Sequence, residues 1–284
     1  MLEVTRQGFY NYLESLSKPY KYEFLAALMK EIIAEDECND TYGSQRMREA
    51  LLLLQDSKSN PGLEVPSQPT IARIMRENGL IQKKKHKPNG LTKADKEAQK
   101  SDNLLKGNFD ADKPFEKTVT DITELPAADG KLYISAIEDC FDNEVLGLSM
   151  ADNMKAILCV DTLRAAVMAH PELCGSISHS DRGSQYTSTE YRLELAKFGI
   201  RQSMNSAAGR CHDNAKCESL WGRFKEELIY GRYDTSKMPM EEVKSLVWRY
   251  FMGYWNNRRI CSANGGLPPT IMRKRFLLST ALAA

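Results

Sequence analysis

The chain has 284 residues, enough for one catalytic-size core plus one or two small modules, and 42% hydrophobic residues suffice to bury such a core. No apolar run approaches the roughly 18 residues that span a bilayer, and the first residues, with Glu3, Arg6 and Gln7, carry no signal-peptide pattern, which points to a cytoplasmic protein without a membrane partner. A net charge of +1 names no partner, and seven scattered cysteines without a Cys-x-x-Cys pair fit reduced thiols rather than a disulfide scaffold or zinc knuckle.

In chain order, residues 20–80 predict three helices. Leu25, Leu28, Met29, Ile32 and Ile33 form the first apolar stripe, and Met47, Leu51 and Leu54 the second. The third follows Ser67, with Pro69 in its first turn and Gly79 past its end. Ile71, Ile74 and Met75 make its apolar face, leaving Arg73 and Arg76 as candidates for phosphate contact. Residues 1–80 thus suit a helix-turn-helix-like DNA-binding module, or else a small bundle for protein contacts. Residues 81–114 predict a linker, with a turn at Pro88-Asn89-Gly90. Its basic run makes Lys83, Lys84 and Lys85 candidates for DNA phosphates, although a solvated linker carries the same charge.

From 115 to 232 the texture becomes α/β. Strands are expected at 118–125, 132–138 and 144–150, a helix at 155–170, a strand at 176–180, a helix at 188–198 and a strand at 200–204. Three strands in succession, then helix and strand in alternation, match a ribonuclease H-like mixed sheet flanked by helices. A further helix is expected from Asp213 to Tyr230, and residues 233–284 predict a C-terminal helical extension in which Trp248, Tyr254 and Trp255 pack.

Three acids stand out by position. Asp121 lies within the first strand, where a carboxylate is costly unless paired or bound to metal. Asp181 falls just beyond a strand's carboxyl end, where open α/β sheets bind ligands. Glu218 shares a polar helical stripe with Asn214, Gly222 and Lys225. Carboxylates supply the hard oxygens that Mg²⁺ prefers, and paired metals serve phosphodiester chemistry. Paired carboxylates also serve glycosidases, so chemistry alone leaves both open. Cys211, His212 and Cys217 are close in sequence but lack a fourth zinc ligand. His179 either orients Asp181, approaches a phosphate or is structural; Arg182, Gln185 and Tyr186 are DNA contacts or loop anchors; Lys225 meets a phosphate or is solvated.

The stretch Thr120-Asp121-Ile122-Thr123-Glu124, followed by Lys131-Leu132-Tyr133, resembles the opening of the catalytic core of DDE transposases and retroviral integrases. The stretch from His179 to Ser188 resembles the second-aspartate motif of bacterial insertion-sequence transposases made from two overlapping reading frames. Asp213-Asn214-Ala215, Glu218-Ser219 and Phe224-Lys225 resemble the motif around that family's catalytic glutamate, and 254–259 with 265–269 its terminal signature. Tyr42-Gly43-Ser44 and residues 74–80 resemble its upstream helical module. The resemblance implies catalysis by Asp121, Asp181 and Glu218 with Mg²⁺ or Mn²⁺, two ions, in cleaving and transferring DNA strands at the nucleoid. It also implies a downstream reading-frame product, with the upstream product or a fusion to it as partner and a homo-oligomer in the synaptic complex. The 36 residues between Asp181 and Glu218 are one more than the family's usual spacing. A catalytically silent DNA-binding inhibitor and a non-transposing nuclease of the same fold are the alternatives.

Overall fold

The computed structural model describes residues 5–17, 20–56, 62–81, 101–206 and 214–283. The chain forms two compact units, residues 1–82 and 83–284. The first is helical: α1 (Arg6–Ser17), α2 (Glu23–Ala34), α3 (Ser44–Asp56) and α4 (Gln68–Glu77). Leu25, Leu28, Met29 and Ile32 of α2 are buried with Met47 and Leu51 of α3 and Ile71, Ile74 and Met75 of α4, as their spacing predicts. Helix α1 was not expected. The segment from α3 to α4 spans residues 57–67, longer than the three- or four-residue turn of a tight helix-turn-helix.

The second unit is built on five strands: β1 (Lys117–Ala127), β2 (Gly130–Asp139), β3 (Val145–Ala151), β4 (Ile177–Ser180) and β5 (Arg201–Met204). Their order is β3-β2-β1-β4-β5. The first three pair antiparallel, while β4 runs parallel to β1 and β5 parallel to β4. This is the ribonuclease H-like sheet. Alternation along β1 sends its side chains to two faces. Ile122 packs into a core with Val160, Leu163 and Val167 of α5 (Ala156–Ala169) and Leu195 of α7 (Thr189–Lys197). Val119 meets Cys217 of α8 (Ala215–Phe224) on the other face. A short helix, α6 (Ser184–Thr187), precedes α7, and α9 (Met240–Trp248) and α10 (Pro269–Ala283) complete the unit.

Two stretches read as peripheral are built into this unit. Residues 101–104 run beside β5, where Met204 N–H donates to Asp102 O at 3.3 Å and Leu104 N–H to Ser203 Oγ at 2.9 Å. Residues 240–273 pack into this unit rather than extending from it, whereas Leu277, Leu278 and Leu282 near the end of α10 are exposed. The Asn256 amide accepts from Val145 N–H and donates to Val145 O, both at 2.9 Å, so a side chain covers the β3 edge. Arg273 of α10 holds the β2–β3 turn through Asp139, Asp142 and Glu144 at 2.8, 2.7 and 3.1 Å. Tyr254 and Trp255 are buried, as expected, but Trp248 is 54% exposed. The buried stripe of α9 is Met240, Val243 and Val247, and Trp248 falls one position off it.

Candidate active site

Strand pairing brings two of the three acids together. Val119 pairs with His179 in the parallel β1–β4 ladder. Continuing that register by two residues, past the end of the ladder, sets Asp121 opposite Asp181. The ladder has ended there, so the split between the strands is open at its mouth. Asp121 is half-buried. Loss of water raises its pKa from 3.8 to about 7, reinforced by the charge of Asp181 and, more weakly, of Glu218; the Ile122 N–H and Trp221 indole oppose the rise.

Asp181 caps its own loop. Its Oδ1 accepts from Gly183 N–H at 2.8 Å, and desolvation raises its pKa. A Cβ on Gly183 would stand 3.0 Å from that oxygen and 2.9 Å from Gln185 Oε1, so glycine is what fits. Glu218 is exposed on α8, and its carboxylate has no hydrogen-bond or ion-pair partner among the described residues. Among the described residues no three ligating groups already stand at metal-binding spacing.

Helix α8 is fixed at both ends. Lys216 donates to Asn143 Oδ1 at 2.5 Å and to Cys140 O at 3.4 Å, and lies 3.8 Å from Glu138. Beyond Phe224 the helix widens into a π-turn, Lys225–Ile229, which buries Glu227. Arg259 grips Glu227 with two hydrogen bonds, at 2.7 and 2.8 Å, and Tyr250 hydroxyl donates to the same carboxylate at 2.9 Å. None of these supports was singled out from sequence, since their partners lie tens of residues away. The polar stripe containing Glu218 and Lys225 is borne out in part: Lys225 is half-buried, with its pKa lowered by desolvation against the pull of Glu124 and Asp121. Asn214 is buried, with an unpartnered Oδ1.

The motif around Asp181 reads differently in three dimensions. Tyr186, a candidate DNA contact, is enclosed in the core at 1% exposure, its ring edge-on to Tyr191 at 5.3 Å. Because Thr120 hydroxyl donates to Ala136 O at 2.9 Å, the Tyr186 hydroxyl is the donor in their 3.4 Å contact. It braces the strand beside Asp121 and is closed to DNA. Gln185 is also buried and donates to Met154 O at 2.9 Å, so it is a loop anchor. Arg182 is half-buried; its Nε donates to Asn205 O at 2.6 Å. His179 is fully enclosed. Its Nε2 donates to Asn205 Oδ1 at 2.9 Å, leaving Nδ1 to accept from Ser203 hydroxyl at 2.8 Å, a structural tie between β4 and β5. In the first unit Arg76 is exposed, while Arg73 lies over the Tyr22 ring at 5.5 Å and 4.0 Å from Glu77. Lys83, Lys84, Lys85, the turn at 88–90, Cys211 and His212 lie outside the described residues.

Residues 111–211, from the approach to β1 through the loop after β5, match the family model of the integrase core domain. Sheet order and match together define an integrase-type core of the polynucleotidyl transferase class. Over 200 residues the chain is 35% identical to the transposase InsF for insertion sequence IS3A of Escherichia coli (strain K12), covering 70% of this chain and 68% of that one. It is 29% identical over 274 residues to an uncharacterized 31 kDa protein of insertion element IS600 of Shigella sonnei, covering 96% of each. The chain belongs to the insertion-sequence DDE transposases. A slighter likeness, with a TM-score of 0.37 and 14% identity over 57% of this chain and 97% of the other, is to the HTLV-2 integrase catalytic core domain in complex with magnesium.

Proposed function

We propose that Asp121, Asp181 and Glu218 form the catalytic set of a metal-dependent transposase that cleaves DNA at the ends of its element and joins them to a target. The observation that carries this reading is Asp121, held out of water beside Asp181 and reached more weakly by the charge of Glu218. Such a cluster is unfavourable alone and favourable around a divalent cation. The donor set is hard oxygen throughout, which suits Mg²⁺ or Mn²⁺. Bound there, two such ions would supply activation of the attacking oxygen and stabilisation of the leaving oxygen.

The chain's own residues do the remainder. Asp121 on β1, Asp181 and Glu218 would hold the ions, with Asp121 as the central ligand of the three. Lys225, with no side-chain partner among the described residues, meets a DNA phosphate at the mouth of the site. Arg182 orders the Asp181 loop, with its remaining guanidinium donors for phosphate. The helical unit and the run at Lys83–Lys85 add sequence-independent attraction to DNA. Two DNA ends need a synaptic complex of several copies, and the upstream reading-frame product is a partner in it; the reaction takes place at the nucleoid, in the cytoplasm.

The test is a cleavage and joining assay on the element's own ends, with and without the upstream product. Asp121→Asn, Asp181→Asn and Glu218→Gln should each abolish Mg²⁺-dependent products and leave DNA binding in place. Activity surviving any one change removes that residue from the set. Nicked but never joined DNA would identify a nuclease of this fold, and no cleavage under any condition a silent inhibitor.

A further inference from the structure

Helix α8 carries a second residue aimed at the site. Cys217 of α8 packs on Val119 of β1, which registers the two elements. One turn along the helix from Cys217 stands Trp221, and two residues along the strand from Val119 stands Asp121 on the same face. The helix thus lays Trp221 over Asp121.

The indole is 6% exposed and held from behind: Phe251 meets it edge-on at 5.7 Å and 90°, and Phe224 at 6.3 Å and 71°. Its N–H has no hydrogen-bond partner among the described residues. A buried, unsatisfied donor costs about 1–3 kcal/mol. Asp121 is the polar group it acts on, since the indole favours the charged form of that carboxylate. A carboxylate has about four acceptor positions, so Asp121 could serve as a metal ligand and still take the indole N–H.

We propose that Trp221 is a positioning residue: its indole N–H hydrogen-bonds the Asp121 carboxylate and fixes the orientation in which that carboxylate would meet metal. The inference rests on the metal-binding reading above and adds to it an outer-shell donor. Outer-shell partners of ligating groups typically account for 10–100-fold in metal affinity.

Two substitutions separate the N–H from the ring. Trp221→Phe removes the donor with part of the ring, and benzothienylalanine at 221 keeps the bicyclic shape while replacing N–H by sulfur. Mn²⁺ binding to the full chain is read by electron paramagnetic resonance of the free ion, and stability by thermal melting. Both variants should bind Mn²⁺ at least tenfold more weakly than wild type, with the benzothienyl protein melting no lower. Independently of metal, the Trp221 indole ¹H–¹⁵N resonance, assigned by its absence in Trp221→Phe, should move when Asp121 is changed to Ala. Unchanged Mn²⁺ affinity in the benzothienyl protein would overturn the assignment even if Trp221→Phe bound weakly, because shape alone would then explain the loss. A wild-type chain that binds no Mn²⁺ would overturn the metal reading and this inference with it, whereas Mn²⁺ binding lost in Asp121→Asn but untouched at position 221 would sink this inference alone.

Discussion

Replacing Asp121 by Asn should stabilise the metal-free protein. In the fold its pKa stands at about 7 against an ordinary 3.8, chiefly through desolvation and then the charge of Asp181. A folded-state pKa above the unfolded one favours the fold at low pH, and that contribution is lost as pH rises from about 4 to about 7. Above pH 7 both states are ionised, and each pKa unit costs 1.36 kcal/mol, which sets a ceiling of about 4 kcal/mol. At pH 5 the folded carboxyl is already protonated and the cost is under half of that. Asp121 is half-buried rather than sealed, so a gain of roughly 1–3 kcal/mol at pH 8 is expected for Asp121→Asn, and clearly less at pH 5. Glu138 and Glu144, both raised to about 7 by burial, slope the same way, so only the difference between variant and wild type isolates Asp121. Urea unfolding at the two pH values, in chelator and then in Mg²⁺, measures it. Mg²⁺ should stabilise wild type, since it binds the folded state, and leave Asp121→Asn unmoved. Equal destabilisation of the variant at both pH values would refute the reasoning, for Asp121 would then be a structural hydrogen-bonding group and not a strained ligand.

Gly147→Ala should cost about 1–3 kcal/mol by overpacking, because its Cβ would lie 2.7 Å from Thr162 O and 2.8 Å from Ala166 Cβ, pushing α5 off β3; thermal melting reads this directly. Arg259→Ala leaves Glu227 charged and buried, a loss of about 3–5 kcal/mol; pairing Arg259→Met with Glu227→Gln should recover most of it in the same melt. Gly183→Ala should leave stability nearly unchanged while lowering strand joining about tenfold or more, since the new methyl presses on Asp181 Oδ1 and small displacements at a reacting centre are costly. A normal joining rate would show that the Asp181 loop yields freely.

The positions of two acids were legible in sequence because each sits where a strand pairs or ends. Asp121 interrupts an apolar strand, Asp181 closes another, and the β1–β4 register converts that spacing into proximity. The buried side of the Asp181 motif was not legible, because a tyrosine six residues beyond a strand end looks accessible until its neighbours are seen. Tyr186, Tyr191 and Leu195 are buried together, and that spacing was the available signal. Trp248 failed for the converse reason: its size suggested packing, while the stripe of Met240, Val243 and Val247 already placed it outside. The π-turns at Lys225–Ile229 and Arg249–Trp255 could not be read at all from a 3.6-residue period. They bury runs of adjacent residues, which a regular helix does not do.

Those π-turns explain why residues 240–273 belong to the core. Glu218 stands on a helix whose far end must be held still, yet α8 spans only Ala215–Phe224, and its approach from 207–213 lies outside the described residues. The hold comes from the chain's last quarter. Arg259 takes Glu227, Phe251 and Tyr250 wall Trp221 and Phe224, and Trp255 donates its indole N–H to Asn143 O at 2.8 Å, beside the Lys216 anchor. A buried ion pair such as Glu227–Arg259 is a poor source of stability compared with apolar packing. Its use here is directional: two fixed hydrogen bonds set the rotation of α8 about its axis, which greasy contacts alone would leave free to slip. On the proposed reading, that rotation sets whether Glu218 can turn toward Asp121 and Asp181, so the charged clamp outside the site would bear on the exposed glutamate without touching it.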